Sequence, residues 1–357
     1  MAIKYLGSKR VLVPILGDLF AASQARTALD LFTGTTRVAQ EFCRRGAHTI
    51  AVDTATYSEA LAQCYVELDR EAVDRAEIAE AIARLESLPD MRGYFTQTFC
   101  EQSRYFHPKN GVRIDAIRAG IEELYADSWL RPVLLTSLME AADAVDSTVG
   151  VQMSYLKQWA ARAHRELKLR IPELTPGTGK AVRGDATELV HTLPQVDLAY
   201  LDPPYNQHRY ATNYHIWETL VRWDAPEHYG VACKRMDSRD LSLKSVFNVK
   251  REMPAALART IKAVKADLVM VSFSNEGFVP LEDLIEMCQA RGDPVEVLAF
   301  DSRRYVGARI GIFSPSGEKV GKVSHTRNTE YVLLCGDADR IQAMAAAVEL
   351  QDGLGLT

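Results

Sequence analysis

Apolar and polar positions follow two different periods along this chain, and the period changes twice. Between residues 27 and 53, short apolar runs flank one stretch of helical spacing. "TALDLF" (27–32) reads as a buried strand and "TGTT" turns the chain. Val38 and Phe42 share one face of "RVAQEFCRRG", a helix that Gly46 would stop. "AHTIAVD" (47–53) is then a second strand, ending in Asp53. Strand, tight turn, helix, strand and acid is the order of a cofactor-binding βαβ unit.

From 56 to 179 the texture becomes helical. Helices are predicted over 57–88, 114–125, 130–146 and 154–170; Ile117, Ile121 and Leu124 make the stripe of an amphipathic helix. "IPELTPGTGK" (171–180), with two prolines and two glycines, reads as a linker. Beyond it, strand patterns return at 196–202 and 267–277, with helical ones at 213–223 and at 281–292, which Gly292 would stop. "VEVLAF" (295–300) and "TEYVLLC" (329–335) would close the sheet as antiparallel strands. The pattern therefore predicts one α/β domain, a doubly wound Rossmann-like and mostly parallel sheet with one antiparallel strand near the C-terminus. It is built from residues 1–55 and 180–345, and a helical insertion spans 56–179.

Composition changes this picture little. The chain has 357 residues, 47% apolar and 25% charged, with a net charge of −5 and a pI near 6.0. That balance excludes a binder that coats nucleic acid non-specifically, and leaves room for local basic patches. Six cysteines at 43, 64, 100, 233, 288 and 335 form no CxxC pair, so reduced thiols and no metal site are expected. The start "MAIKYLGSKRVLVPILGDLF" is broken by Pro14 and Asp18, so neither a signal peptide nor a membrane span is expected. A cytoplasmic protein is the expectation.

Three stretches carry chemistry. In "DLFTGTT" (30–36), Gly34 directly after a strand lets backbone approach a ligand closely, although a plain turn would use glycine too. One glycine where a dinucleotide fingerprint wants three suits a ligand with one nucleoside and no pyrophosphate. Asp53 ends the second strand, placed either to accept from ribose hydroxyls or to cap a helix. In "DPPYN" (202–206), Asp202 follows a buried strand at the sheet edge where α/β folds bind ligands. Pro203 and Pro204 stop the ladder and leave the Pro203 carbonyl outside it. Carboxylate and carbonyl are then two acceptors for one primary amine, and Tyr205 adds a face for a planar ring.

This combination resembles the alpha-class, Dam-like DNA adenine-N6 methyltransferases. "KYLGSKR" (4–10), "DLFTGTT" and "DPPY" carry the resemblance, over residues 1–55 and roughly 180–335. It implies S-adenosylmethionine as cofactor. Tyr5, Gly7 and Lys9 would fold over its methionine end, and Asp30, Phe32 and Gly34 would line its loop. Asp53 would take the ribose, and Asp185 of "RGDATEL" the adenine amine, unless it only caps the helix that follows. The family pattern is close to FxGxG; here the second glycine position is Thr36, which implies an altered loop that still binds.

The resemblance also implies the reaction. An amine delocalised into adenine is a poor nucleophile, and acceptors at Asp202 and the Pro203 carbonyl would favour a localised lone pair. Pro204 and Tyr205 complete the catalytic turn. The thioether leaving group is already good, so no metal is called for. The base must leave the duplex to reach the pocket. The insertion would recognise the target in double-stranded DNA, within a bacterial modification or defence system with a cognate restriction endonuclease or other defence proteins.

Charge by segment agrees with a DNA partner. Residues 234–251 carry six basic residues against two acids, a difference of +4. Lys234, Arg235, Arg239, Lys244, Asn248, Lys250 and Arg251 are the expected DNA contacts. Residues 154–183 carry seven basic against two acidic, a difference of +5, which is either a phosphate patch or a solvated helix face. Ser272, Ser274 and Asn275 either shape the target pocket or merely end a strand. An RNA adenine methyltransferase and a non-catalytic DNA-binding relative are the competing readings.

Overall fold

Local signals start and stop most elements. The computed structural model describes residues 3–5, 9–205, 210–240, 245–303 and 327–352. Pro14 sits in the first turn of α1 (Val13–Ala22), where a missing N–H costs nothing. β1 (Thr27–Asp30) follows, then α2 (Arg37–Arg44), which ends at Gly46 with φ +89°, then β2 (His48–Asp53) and α3 (Thr56–Ala62). A π-helical turn at Gln63–Glu67 leads to α4 (Arg75–Glu86), capped by the Asp74 carboxylate. The short α5 (Tyr94–Thr96), α6 (Pro108–Tyr125) and α7 (Leu130–Ala144) complete the helical block.

The sheet resumes with β3 (Lys180–Arg183), α8 (Ala186–Leu189) and β4 (Val196–Leu201), then α9 (Tyr210–Asn213) and α10 (His215–Arg222). A small hairpin, β5 (His228–Tyr229) and β6 (Lys234–Arg235), precedes α11 (Met253–Ala263) and β7 (Ala266–Ser274). α12 (Leu281–Gln289), β8 (Val295–Arg303), β9 (Arg327–Cys335) and α13 (Ala338–Asp352) end the chain.

One sheet has strand order β3-β2-β1-β4-β7-β9-β8. Its β1–β2, β1–β4, β2–β3 and β4–β7 pairs are parallel, and β9 runs antiparallel to both neighbours. The expected doubly wound sheet with one reversed strand is what forms. Period-two alternation distributes side chains to two faces. Leu29, Ala199, Leu201, Val269 and Val271 pack under α8, α11 and α12. Ala28, Leu198, Tyr200, Leu268 and Met270 pack under α1, α2 and α13. Strand order reverses between β1 and β4, so their carboxyl ends splay into a crevice.

Two expectations about the helical block are corrected. Residues 154–170 are not a helix; they form an extended ribbon with one 3₁₀ turn at Ala161–His164. Side chains of neighbouring helices satisfy its backbone: Asn110 Oδ1 accepts from Leu167 N, Glu86 Oε1 from Leu169 N, and Ser137 Oγ from Arg170 N, at 2.9–3.1 Å. Leu167 and Leu169 point inward with exposed Lys168 between them, a strand-like period. The run 57–88 is broken at Leu68, where the backbone turns extended. α3 packs against β2 and β3, and the helical core is continuous with Ala39, Cys43 and Ala51 beneath the sheet. No helix among the described residues is long and apolar enough to cross a membrane.

Candidate active site

The carboxyl ends of β1, β2 and β4 open into one cavity of about 580 Å³. Tyr5, Lys9, Asp30, Phe32, Gly34, Asp53, Asp185, Asp202 and Pro204 all line it. The two ends of the chain's α/β pattern thus supply one site, as the motifs require. Gly7 and Lys244 lie outside the described residues.

At the β1–β2 end, Asp53 holds the loop after β1. Its Oδ2 accepts from Gly34 N at 2.9 Å and its Oδ1 from Ala55 N at 3.0 Å. It therefore anchors backbone on both sides while facing the cavity. Burial raises its pKa above the usual carboxylate value. Gly34 has φ +51°, and a Cβ there would sit 3.2 Å from the Tyr5 ring. Both conformation and space call for glycine. Thr36, also at positive φ (+61°), begins α2 in the left-handed region that its branched side chain disfavours. Its buried hydroxyl donates to the Thr35 carbonyl and accepts from Gln40 Nε2 at 2.8 Å.

Asp30 is buried, and one oxygen accepts from Thr33 Oγ1 (2.9 Å) and Ala39 N (3.2 Å). Its Oδ1 has no described partner, and burial pushes its pKa up to about 7. Asp185 caps α8 through Oδ1, accepting from Thr187 N at 2.7 Å and Thr187 Oγ1 at 2.6 Å. The capping alternative holds, and Asp185 lines the cavity as well.

At the β4 end, Asp202 faces Lys9, whose Nζ is 3.2 Å from Oδ1. That oxygen is buried and accepts no well-formed hydrogen bond. Burial is the main cause of an Asp202 pKa pushed up to about 6; Lys9 opposes the rise and Glu330 adds to it. Pro203 is buried in the turn. Tyr205 packs edge-on against Phe273, with centroids 5.8 Å apart, and its carbonyl accepts from Phe278 N at 2.9 Å. The Lys9 ammonium lies 5.8 Å above its ring.

Several groups in the site carried no sequence signal of their own. Tyr5 stacks on Tyr214 (4.3 Å) and Tyr210 (5.3 Å), and its hydroxyl meets Tyr57 Oη at 3.2 Å. Tyr210 and Tyr214 are one helical turn apart in "YATNY", a spacing that names a shared face but not a site. Glu330 reaches Lys9 because β9 is reversed: the residue pairs with Ser274 at the carboxyl end of β7.

The expected DNA contacts divide. Arg235 is 3% exposed and holds Asp224 (2.7 Å) and Asp237 (2.7 Å) in a buried-guanidinium cluster. Asn248 is also buried and lines the cavity beside Phe247. Lys234 is half-buried, and Arg239, Lys250 and Arg251 are exposed. Ser272, Ser274 and Asn275 are not among the described residues that wall the cavity; Asn275 Oδ1 instead accepts from Thr329 N at 3.2 Å, tying β7 to β9.

The profile of the D12 class N6 adenine-specific DNA methyltransferase family matches residues 5–277. The chain is 29% identical over 273 residues to the type II methyltransferase M.NlaIII of Neisseria lactamica, covering 74% of this chain and 79% of that protein. It is 28% identical over 324 residues to the type II methyltransferase M.CviAII of Paramecium bursaria Chlorella virus 1, covering 85% and 92%. Over 301 residues it is 29% identical to the modification methylase StsI of Streptococcus sanguinis, covering 79% of this chain and 45% of that longer protein.

Proposed function

Since the chain belongs to the D12 class N6 adenine-specific DNA methyltransferase family, we propose that it methylates the N6 amine of an adenine extruded from duplex DNA. S-adenosylmethionine is the donor in this reading, and restriction–modification in the cytoplasm, beside a cognate endonuclease, is its setting. The observation that carries the reading is Asp202. It follows β4 at the switch point and lines, with an oxygen that accepts no well-formed hydrogen bond, a cavity whose far end is the Gly34–Asp53 loop.

The residues present fit the cofactor. Gly34 offers a surface a side chain would block, and the Asp30 Oδ1 is a buried acceptor without a partner. Asp53 and Asp185 are the acceptors for its ribose and adenine, and Tyr5 and Phe32 supply apolar walls. When bound, S-adenosylmethionine supplies an electrophilic methyl group on a sulfonium.

The remaining work falls to this chain. Asp202 and the Pro203 carbonyl accept the two N–H bonds of the target amine and localise its lone pair. The proline pair keeps those acceptors rigid, so little reorganisation accompanies the reaction. Tyr205 offers a face to the extruded base, with Phe273 fixing its ring. The helical block within 56–179 recognises the target sequence, and exposed Arg239, Lys250 and Arg251 meet phosphates. Long-read sequencing of DNA from cells expressing the chain tests this reading. A single adenine context with N6-methylation is expected; unmodified adenine throughout would refute it.

A further inference from the structure

A buried lysine between two carboxylates sits where the reaction would occur. Lys9, Asp202 and Glu330 come from the N-terminal segment, the β4 turn and the reversed strand β9. Their side chains are 7%, 17% and 13% exposed. The Lys9 backbone is anchored ahead of α1: its carbonyl accepts from Leu12 N and Val13 N at 2.7 Å.

The two contacts differ in kind. Lys9 Nζ donates a directed hydrogen bond to Glu330 Oε2 at 3.0 Å. Towards Asp202 the distance is 3.2 Å, yet Oδ1 receives no well-formed hydrogen bond. The ammonium is thus shared: it hydrogen-bonds Glu330 and meets Asp202 as an ion pair of poorer hydrogen-bond geometry. A buried carboxylate needs that charge nearby, but a strong hydrogen bond from Lys9 would compete with the target amine for it.

We propose that Glu330 is the positioning residue of this site: it holds the Lys9 ammonium so that Asp202 is neutralised but left open to the target's amino group. The inference rests on the reading of Asp202 as the acceptor for that amine. Glu330 touches no reacting atom; it acts through Lys9.

The other groups facing Asp202 are Asp30 from β1, Tyr200 from β4, Tyr205 from the turn and Tyr210 from α9. The tyrosines are pushed to higher pKa by burial and stay neutral near pH 6. Asp30 is itself buried, with a pKa pushed up to about 7, and Glu330 is not among the groups acting on it. Glu330 itself is a like charge that raises the Asp202 pKa.

The test compares Glu330→Gln, nearly the same shape, with Glu330→Asp. Methyl transfer to duplex DNA is followed against pH, and S-adenosylmethionine affinity is measured by calorimetry. In Glu330→Gln the amide oxygen still accepts from Lys9 but the charge is gone, so the ammonium is drawn towards Asp202, the carboxylate that remains. The limiting rate should fall on the order of tenfold or more, about one hydrogen bond's worth. The acid limb of the rate profile should move to lower pH, with cofactor affinity kept within about threefold. Glu330→Asp should recover part of the rate and part of the shift. An unmoved acid limb and rate in Glu330→Gln would overturn the inference while leaving a functioning wild type. So would parallel loss of rate, cofactor affinity and thermal stability, since that marks a structural residue. A wild type that binds cofactor but methylates no adenine defeats the functional reading beneath it.

Discussion

Asp53 and Gly34 are joined by a 2.9 Å hydrogen bond between the carboxylate that ends β2 and the amide in the loop after β1. The bond ties two neighbouring strand ends together at the cavity, and in the proposed function they cradle the cofactor. Removing it in Asp53→Ala leaves the Gly34 and Ala55 N–H groups without their acceptor. The cost is expected at about 1–3 kcal/mol of stability. Cofactor affinity should fall by at least tenfold on top of that, read by calorimetry at fixed pH. An Asp53→Ala chain that binds S-adenosylmethionine normally would refute the cradle.

Gly34→Ala tests the same loop from the other side. At φ +51° and 3.2 Å from Tyr5, the added methyl is strained twice. A loss of about 1–3 kcal/mol and weaker cofactor binding are expected. Thr36→Gly is the contrast, because Thr36 already occupies a left-handed conformation at φ +61°. Relief of strain there offsets the lost hydroxyl bonds, so thermal unfolding should stay within about 1 kcal/mol of wild type.

In the proposed function Asp202 sets the pH dependence: methyl transfer would need its ionised form, so the rate should rise through about pH 6 and level off above. Stability runs the other way. The folded-state pKa lies above the unfolded one, so the charged form costs stability above about pH 6. That cost disappears as pH falls towards the unfolded value. Asp202→Asn should therefore be inactive, more stable than wild type at pH 8, and lose that advantage by pH 4. Melting curves at the two pH values check the sign.

Basic residues of one segment should behave in two ways. Arg235→Ala breaks a buried guanidinium cluster and should destabilise by roughly 2–4 kcal/mol, a loss seen without DNA present. Arg239→Ala, Lys250→Ala and Arg251→Ala should leave melting unchanged. Each should weaken DNA binding and lower the slope of log affinity against log salt by about 1.

The parts legible in the sequence were those carried by short-range chemistry. "DLFTGTT", Asp53 and "DPPY" each sit at a strand end, and strand-end residues in a parallel sheet share one edge, so finding them together follows from the pattern. Glu330 was not legible. Its place depends on the reversal of β9, and only that reversal brings an early strand residue to the same edge. The burial of Arg235 was not legible either, because charge in a sequence does not reveal it; two acids nearby in the chain, Asp224 and Asp237, enclose the guanidinium. The ribbon 154–170 misled for a related reason. Its helical composition is overridden by side chains of Asn110, Glu86 and Ser137 that take up its backbone N–H groups.

The most direct test of the central claim is methyl transfer from tritiated S-adenosylmethionine to unmethylated duplex DNA, followed by chromatography of the released nucleosides. Label is expected in N6-methyladenine alone for the wild type, and in no nucleoside for Asp202→Ala, with cofactor binding intact in both. Label in cytosine, or undiminished adenine methylation by Asp202→Ala, would contradict the account.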